Sequence, residues 1–428
     1  MATLMAGMSA GMSEECGAKI LLVTANVGSL FEDTENLQKV WLKEFFETVK
    51  AFKPHFLALH CQECGGKSSL LSLKPVNYFI EALISSDELT DYNRARIYID
   101  KTQESPEYYT ALGSFYFIHE SVKSVSEFDF DDGKFRKVIG RDVGIMSPDR
   151  LSLPMVQKEK FPADFFPQCQ SSRKGFLRTR WGLSNCDFDL VNVHLFHDAH
   201  NVMAWKDSPS SYAGIRQKAV SFILQRLSDE KYKKVPFFLF GDFNFRLDAK
   251  PLFEHLCSSS TLEVITDTNY DKLMFRETNN DRKVVLEVEK KTFNYINPNV
   301  FQANNGTSLL QFDKELSMFK DQLDEMEITF PPTYPYSEDL SHAKQYNTTR
   351  CPAWCDRILM STSAKCLIAK PEDGKKEGEQ ENEENAIVYD NIGPNVCMGD
   401  HKPVFLSFRL PAGKGNPYAC SCRCCVVQ

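Results

Sequence analysis

The sequence has no apolar run approaching the ~18 residues of a membrane-spanning helix and no internal repeat. It also has no excess of positive charge: 50 Lys and Arg stand against 58 Asp and Glu, a net charge of −8. These absences exclude a helical span and weigh against a general nucleic-acid binder, which needs a basic face, while leaving room for a local basic cleft. The opening MATLMAGMSAGMSEECGAK lacks the basic start and apolar core of a secretory signal, and lacks the Met-Gly of myristoylation. Residues 1–18 read as a mobile leader. With no such signal, the 14 cysteines are expected as reduced thiols, and the sequons at Asn305 and Asn347 as chance matches.

What the chain does have is apolar mass. It is 428 residues long, 42% apolar, with 32 Phe, enough for a large packed core. Lys19–Gly28, His55–Glu63, Tyr109–His119, Arg178–Trp181 and FDLVNVHL read as strands or extended segments. Leu37, Trp41, Phe45 and Val49 recur at a spacing of four, a helix face that Lys53-Pro54 stops. GIRQKAVSFILQRL reads as a second helix, and residues 251–330 as a largely helical stretch with a charged surface. AWCDRILMS and KPVFLSFRL read as closing strands. Residues 371–385 are charged and poor in apolar residues, a disordered loop by composition. Strands recur from both ends without a clear linker, which predicts one domain over 19–410 and a flexible tail over 411–428.

Val235–Leu247, VPFFLFGDFNFRL, is apolar on both faces up to Gly241, as in a sheet covered on both sides. Beyond it Asp242, Asn244 and Arg246 alternate with Phe243 and Phe245, so a strand period puts the three polar groups on one face. Other strands also end in polar groups: Asn26, Glu63 and His194. Asp400-His401 precedes the last strand. Strand ends on one sheet edge converge, and active sites form there. Hard oxygen ligands such as Glu63 and an amide suit Mg2+, which keeps waters for a phosphate. Asp242 suits a water that Asn244 holds, and His401, supported by Asp400, suits charge on a phosphoryl group.

FGDFNFR (240–246) and RCPAWCDRIL (350–359) resemble the two signature motifs of the inositol polyphosphate 5-phosphatases. TANVG, QE, NVHL and GDHKPV resemble the remaining motifs of the wider endonuclease/exonuclease/phosphatase superfamily. The likeness spans about 21–408 and is greatest to the type I enzymes, which act on soluble inositol 1,4,5-trisphosphate. It implies a four-layer α/β sandwich, two mixed sheets face to face with helices outside, and hydrolysis without a covalent intermediate. Carried over, Glu63 and Asn26 bind Mg2+, Asp242 activates or orients the water, and Asn244 holds the phosphate or water. His401, oriented by Asp400, contacts the scissile phosphate with His194 close by. Arg246 faces the phosphate site, Arg357 with Asp356 builds the wall, and Arg173, Lys174 and Lys402 bind the other phosphates. The expected substrates are the soluble trisphosphate and the 1,3,4,5-tetrakisphosphate.

The chain departs from the family pattern in places. Leu239 stands where Trp is common, and SRKGF (172–176) replaces a Gly-rich segment. Pro335 and Thr348 occupy the places where lipid-acting members carry lysines. Cys351 to Arg357 spells the C-x5-R of cysteine phosphatases. Pro352 removes a backbone donor from that loop and Asp356 would repel the phosphate. Cys61 and Cys64 form a CxxC without a second pair at zinc spacing, so a structural role is expected. The terminal Cys425-Val-Val-Gln fits a farnesylation box, with Cys424 as a palmitate carrier for the second signal one isoprenoid requires. These features predict a monomer at the cytoplasmic face of the plasma membrane, with a cytosolic fraction. The rivals are a nuclease, a lipid 5-phosphatase and a lipid-anchored module without catalysis.

Overall fold

The computed structural model describes residues 17–66, 74–167, 173–266, 271–279, 281–368, 386–393 and 399–410. The expectations for residues 1–16, the loop 371–385 and the tail with Cys424 and Cys425 lie outside these residues. Among the described residues, no helix is long and apolar enough to cross a membrane.

Two sheets carry the fold. The first is ordered Val388–Asn391 (β18), Val404–Leu410 (β19), Ala18–Asn26 (β1), Phe56–Gln62 (β2), Gly113–Ile118 (β4), Arg94–Asp100 (β3) and Arg141–Met146 (β7). The second is ordered Leu323–Glu325 (β16), Asp356–Ser361 (β17), Phe237–Asp242 (β11), Cys186–His194 (β10), Gly175–Leu183 (β9), Val125–Asp129 (β5) and Lys134–Lys137 (β6), with Gln157–Lys160 (β8) also on β9. Both are mixed: β1 pairs β2 and β10 pairs β11 in parallel, while β19 and β17 run against β1 and β11.

Strand periodicity explains the layering. Ile20, Leu22, Phe56, Ala58, Phe238 and Phe240 point into the core between the sheets. Leu21, Val23, Leu57 and Leu59 point outward, under Lys39–Phe52 (α1) and Lys74–Ile84 (α2). Val191, Val193 and Leu239 point outward on the other side, under Ser211–Leu227 (α4). The expected four layers are therefore the observed ones. Leu37, in the turn Thr34–Gln38 that leads into α1, and Trp41, Phe45 and Val49 in α1 are buried, and the helix stops at Lys53, whose backbone turns left-handed.

A polar staple joins the sheets inside the core. Gln62 Nε2 donates to Asn192 Oδ1 at 2.8 Å, and Asn192 Nδ2 donates to the Gly113 carbonyl at 2.9 Å. His60 Nε2 meets the Tyr116 hydroxyl at 2.9 Å. Such a network holds one register, because a slip would strand buried polar groups. It fixes how the strand ends meet.

The stretch 251–330 is not largely helical. Ser260–Thr266 (β12), Asp271–Glu277 (β13), Val284–Glu289 (β14) and Thr292–Tyr295 (β15) form a third, antiparallel sheet. Leu273, Phe275, Leu286, Val288 and Phe293 bury its inner face. Helix is confined to Ala249–Leu256 (α5) and short 3-10 turns. The Leu-x-Phe and Leu-x-Val alternation was the strand signal that the surface charges obscured.

Candidate active site

Gly241 lets β11 lie tightly against β10: a Cβ there would stand 1.9 Å from the Val193 carbonyl oxygen. This close approach places His194, Asp242 and Asp356 side by side in register across three strands. Asp242 is 1% exposed. Its Oδ2 accepts from Asn26 Nδ2 at 3.1 Å and lies 3.2 Å from His194 Nε2, while its Oδ1 accepts from the Asn244 N–H at 2.9 Å. Burial alone would raise its pKa. The His401 charge, the His194 hydrogen bond and Lys174 outweigh burial and hold the carboxyl well below the usual carboxylate range. Asp242 is thus a fixed anion among cations.

His401 stands opposite. Its Nε2 is 3.9 Å from Asp242 Oδ2, and its Nδ1–H donates to Asp356 Oδ2 at 2.9 Å. Burial works against its charge, but Asp356 and Asp242 outweigh it and push the pKa up to about 9. The imidazole is therefore a cation at neutral pH, held between two carboxylates. The carboxylate on Nδ1 belongs to Asp356, not to the neighbouring Asp400. Register explains the correction, since Asp356 faces the same side as its partner Asp242 on β11. Thr333 Oγ1 donates to the same Asp356 oxygen at 2.7 Å. Tyr334, which sequence reasoning missed, lies over the His401 ring with centroids 4.6 Å apart.

The rim is basic. Lys174 is buried with its ammonium against His194 Nε2. Burial and then Lys174 lower the His194 pKa and keep that ring neutral. Arg173 reaches Glu63 Oε1 at 3.5 Å and the Gly66 carbonyl at 2.9 Å. Glu63 follows β2 with φ +54°, a left-handed turn that swings it off the strand path.

Four expected roles change. The alternation of Asp242, Asn244 and Arg246 is not strand phase, because β11 ends at Asp242 and Asn244 is left-handed at φ +51°. Asn244 gives its Nδ2 to the Leu195 carbonyl at 3.0 Å and takes Arg246 Nη2 at 2.7 Å, so it positions Asp242 and Arg246. Arg357 points away from the site: Glu325 and Asp313 hold its guanidinium at 2.5–2.8 Å. Its strand partner is Gly241, on the face opposite Asp242. Lys402 is wholly buried, with its ammonium on the Ala343 carbonyl and the Tyr336 ring, not presented to a substrate. Burial pushes the Cys351 thiol far up, so it supplies no thiolate, and the Arg of its C-x5-R is already paired. Cys61 and Cys64 are buried free thiols.

The donor set fits a hard divalent cation. Asp242, Asp356 and His401 bring ligand atoms within 4.8 Å of one another. Asp356 Oδ1 is buried with no hydrogen-bond partner, an acceptor left open in the site. A protonated His401 cannot ligate, so the oxygens of Asp242, Asp356, Glu63 and Asn26 are the fitting donors.

Residues 278–407 match the family model described as Endonuclease/Exonuclease/phosphatase family 2. The chain is 57% identical over 422 residues to inositol polyphosphate-5-phosphatase A of Homo sapiens, covering 98% of this chain and all of that one. It is 36% identical over 425 residues to a probable type I inositol 1,4,5-trisphosphate 5-phosphatase of Caenorhabditis elegans, covering 91% of this chain and 99% of that one. Among solved structures it is similar to the inositol polyphosphate 5-phosphatase domain of a synaptojanin, in complex with inositol 1,4-bisphosphate and calcium ion. The TM-score there is 0.50 at 14% identity over 92% of this chain and 84% of that one, a likeness of fold. With an Asp242-centred site at the shared sheet edge and full-length relatives of this identity, the chain belongs to the inositol polyphosphate 5-phosphatases.

Proposed function

We propose that the chain removes the 5-phosphate of inositol 1,4,5-trisphosphate and of the 1,3,4,5-tetrakisphosphate with Mg2+ as its metal, and so ends the calcium signal the trisphosphate carries. The carrying observation is the buried carboxylate of Asp242, held ionised by Asn26, His194, Lys174 and His401. Glu63, Asn26 and Asp242 would hold the metal, which neutralises phosphate charge when bound.

Asp242 accepts a hydrogen bond from the attacking water and orients it toward phosphorus. Its low proton affinity makes it a director of the water more than a store for its proton. The water oxygen bonds to phosphorus as the bond from phosphorus to the C5 oxygen breaks. One water proton ends on phosphate and the other on the inositol hydroxyl. The His401 imidazolium, steered by Asp356, donates to the phosphoryl oxygens as their charge grows, and Lys174 and Arg173 attract the polyanion.

A lipid headgroup needs cations at the rim. Here the Pro335 carbonyl takes the Asn347 N–H and the Thr348 carbonyl takes the Phe293 N–H, and neither position offers an ammonium. Two lost phosphate contacts cost on the order of 3–6 kcal/mol, so soluble substrates should be strongly preferred. Anchoring through Cys425 with Cys424 at the cytoplasmic face of the plasma membrane, in a monomer, belongs to the same proposal. Cys425→Ser should then move the protein to the cytosol with activity on soluble substrate unchanged. The test of function is phosphate release from a panel of soluble and lipid inositol phosphates, with and without Mg2+. Equal kcat/KM on phosphatidylinositol 4,5-bisphosphate would overturn the substrate assignment, and full activity in EDTA would overturn the metal.

A further inference from the structure

Glu63 and Arg173 meet on two firm supports. Glu63 opens a turn whose Gly66 N–H donates to the Glu63 carbonyl at 2.9 Å, and the next residue, Cys64, gives its N–H to the Ala111 carbonyl at 2.8 Å. Arg173 stands two residues before Gly175, which begins β9. A Cβ on Gly175 would lie 2.3 Å from the Glu159 carbonyl oxygen, and the Lys174 carbonyl takes the Phe161 N–H at 3.1 Å. Residues 172–176 are also where the chain departs from the Gly-rich family pattern.

The contact between the two side chains is chiefly one of charge. Arg173 Nη2 lies 3.5 Å from Glu63 Oε1, beyond the usual hydrogen-bond range, with each side chain 19% exposed. Nη1 instead donates to the Gly66 carbonyl at 2.9 Å, and the guanidinium faces the Tyr109 hydroxyl. The turn that carries Glu63 thus also anchors the guanidinium, so Arg173 stays in place when Glu63 serves as a ligand. An outer partner that hydrogen-bonds a ligating carboxylate orients it and strengthens metal binding. A guanidinium anchored on a carbonyl does the opposite. It cancels part of the Glu63 charge and repels a second cation. A phosphate laid on Arg173 removes that repulsion.

We propose that Arg173 couples metal to substrate: it weakens Mg2+ at Glu63 until a phosphate of the polyanion covers the guanidinium, so that the two bind as a pair. Coupling of this kind is reciprocal, and the metal tightens the polyanion by the same factor. The inference rests on Glu63 as a metal ligand of the phosphatase proposed above. It gives Arg173 a positioning role beyond simple attraction of the substrate.

Calorimetric titration of the full chain with Mg2+ alone reads the first half. Arg173→Met and Arg173→Gln should bind Mg2+ about fivefold or more tighter than wild type. Arg173→Lys keeps the charge and should stay within about twofold. Saturating inositol 1,4-bisphosphate should tighten Mg2+ in the wild type, and by a smaller factor in the two neutral variants. KM for the trisphosphate should rise in those variants even as the metal tightens, opposite movements that a merely structural role would not produce. Mg2+ affinity unchanged or weakened in both neutral variants, folded by circular dichroism, would overturn the proposal. So would a bisphosphate that tightens Mg2+ equally with and without the guanidinium. Glu63→Gln tests the underlying reading separately: wild-type Mg2+ affinity there would remove the metal from Glu63 and the coupling with it.

Discussion

Arg246 and Arg357 are the guanidiniums of the two signature stretches, and their surroundings are opposites. Arg357 is buried and answered by two carboxylates, Asp313 and Glu325, beneath β17. The Arg246 guanidinium touches an amide and an aromatic ring, while its backbone N–H donates to Glu315 Oε1 at 2.9 Å. From the sequence Arg246 reads as facing the phosphate site and Arg357 as part of the wall of that substrate site. In the structure one guanidinium is locked between carboxylates, and the other makes its hydrogen bond to an amide. The same contrast separates Asp189, clamped by Arg178 and Arg180, from Asp356, whose Oδ1 has no partner.

The largest effect should come at the carboxylate of the first stretch. Asp242→Asn keeps shape and removes the charge, so phosphate release should fall by about 10²–10⁴-fold with folding intact by circular dichroism. Next comes the structural arginine. Arg357→Met leaves Asp313 and Glu325 buried and unpaired, and urea unfolding should show a loss of about 3–5 kcal/mol while the folded fraction keeps its specific activity. Arg246→Met should do the reverse, lowering kcat/KM by about 10–100-fold, the worth of a hydrogen bond to a charged group, with little change in the unfolding midpoint. If both arginines moved stability alone, the contrast between them would collapse. The smallest effect belongs to Cys351→Ser. With no thiolate in play, activity should stay within about twofold of wild type, and a trapped phosphocysteine would reverse that assignment.

Much of the scaffold was legible because its signals are local. Strand runs buried on both faces and the four-residue spacing of Leu37, Trp41, Phe45 and Val49 needed no partner to be recognised. The convergence of Asn26, Glu63, His194, Asp242 and His401 followed from strand ends sharing an edge. What the sequence hid depends on pairing across distance. Asp400 neighbours His401 in the chain, but register with Asp242 gives the bond to Asp356. Arg357 lies one residue from Asp356 and, by the strand period, on the opposite face. The third sheet was missed because β12 is exposed almost throughout, and charged residues interrupt the alternation in β13 and β14. Tyr334 carried no spacing signal, since its place over His401 is set by a loop.

The central claim is that a His401 imidazolium, kept charged by Asp356 and facing an ionised Asp242, drives the hydrolysis. The pH–rate profile on inositol 1,4,5-trisphosphate tests it most directly. His401 is raised from 6.5 to about 9, so its ion pairing stabilises the fold fully below about 6.5 and is lost as pH climbs through about 9. Activity that needs the charged ring should follow the same limb, holding through neutral pH and falling as pH rises past about 9. Asp356→Asn removes the partner on Nδ1, so its alkaline limb should move down toward 6.5 or below, because burial then acts on the ring with less opposition. An alkaline limb that stays in place in a folded Asp356→Asn enzyme would contradict the account.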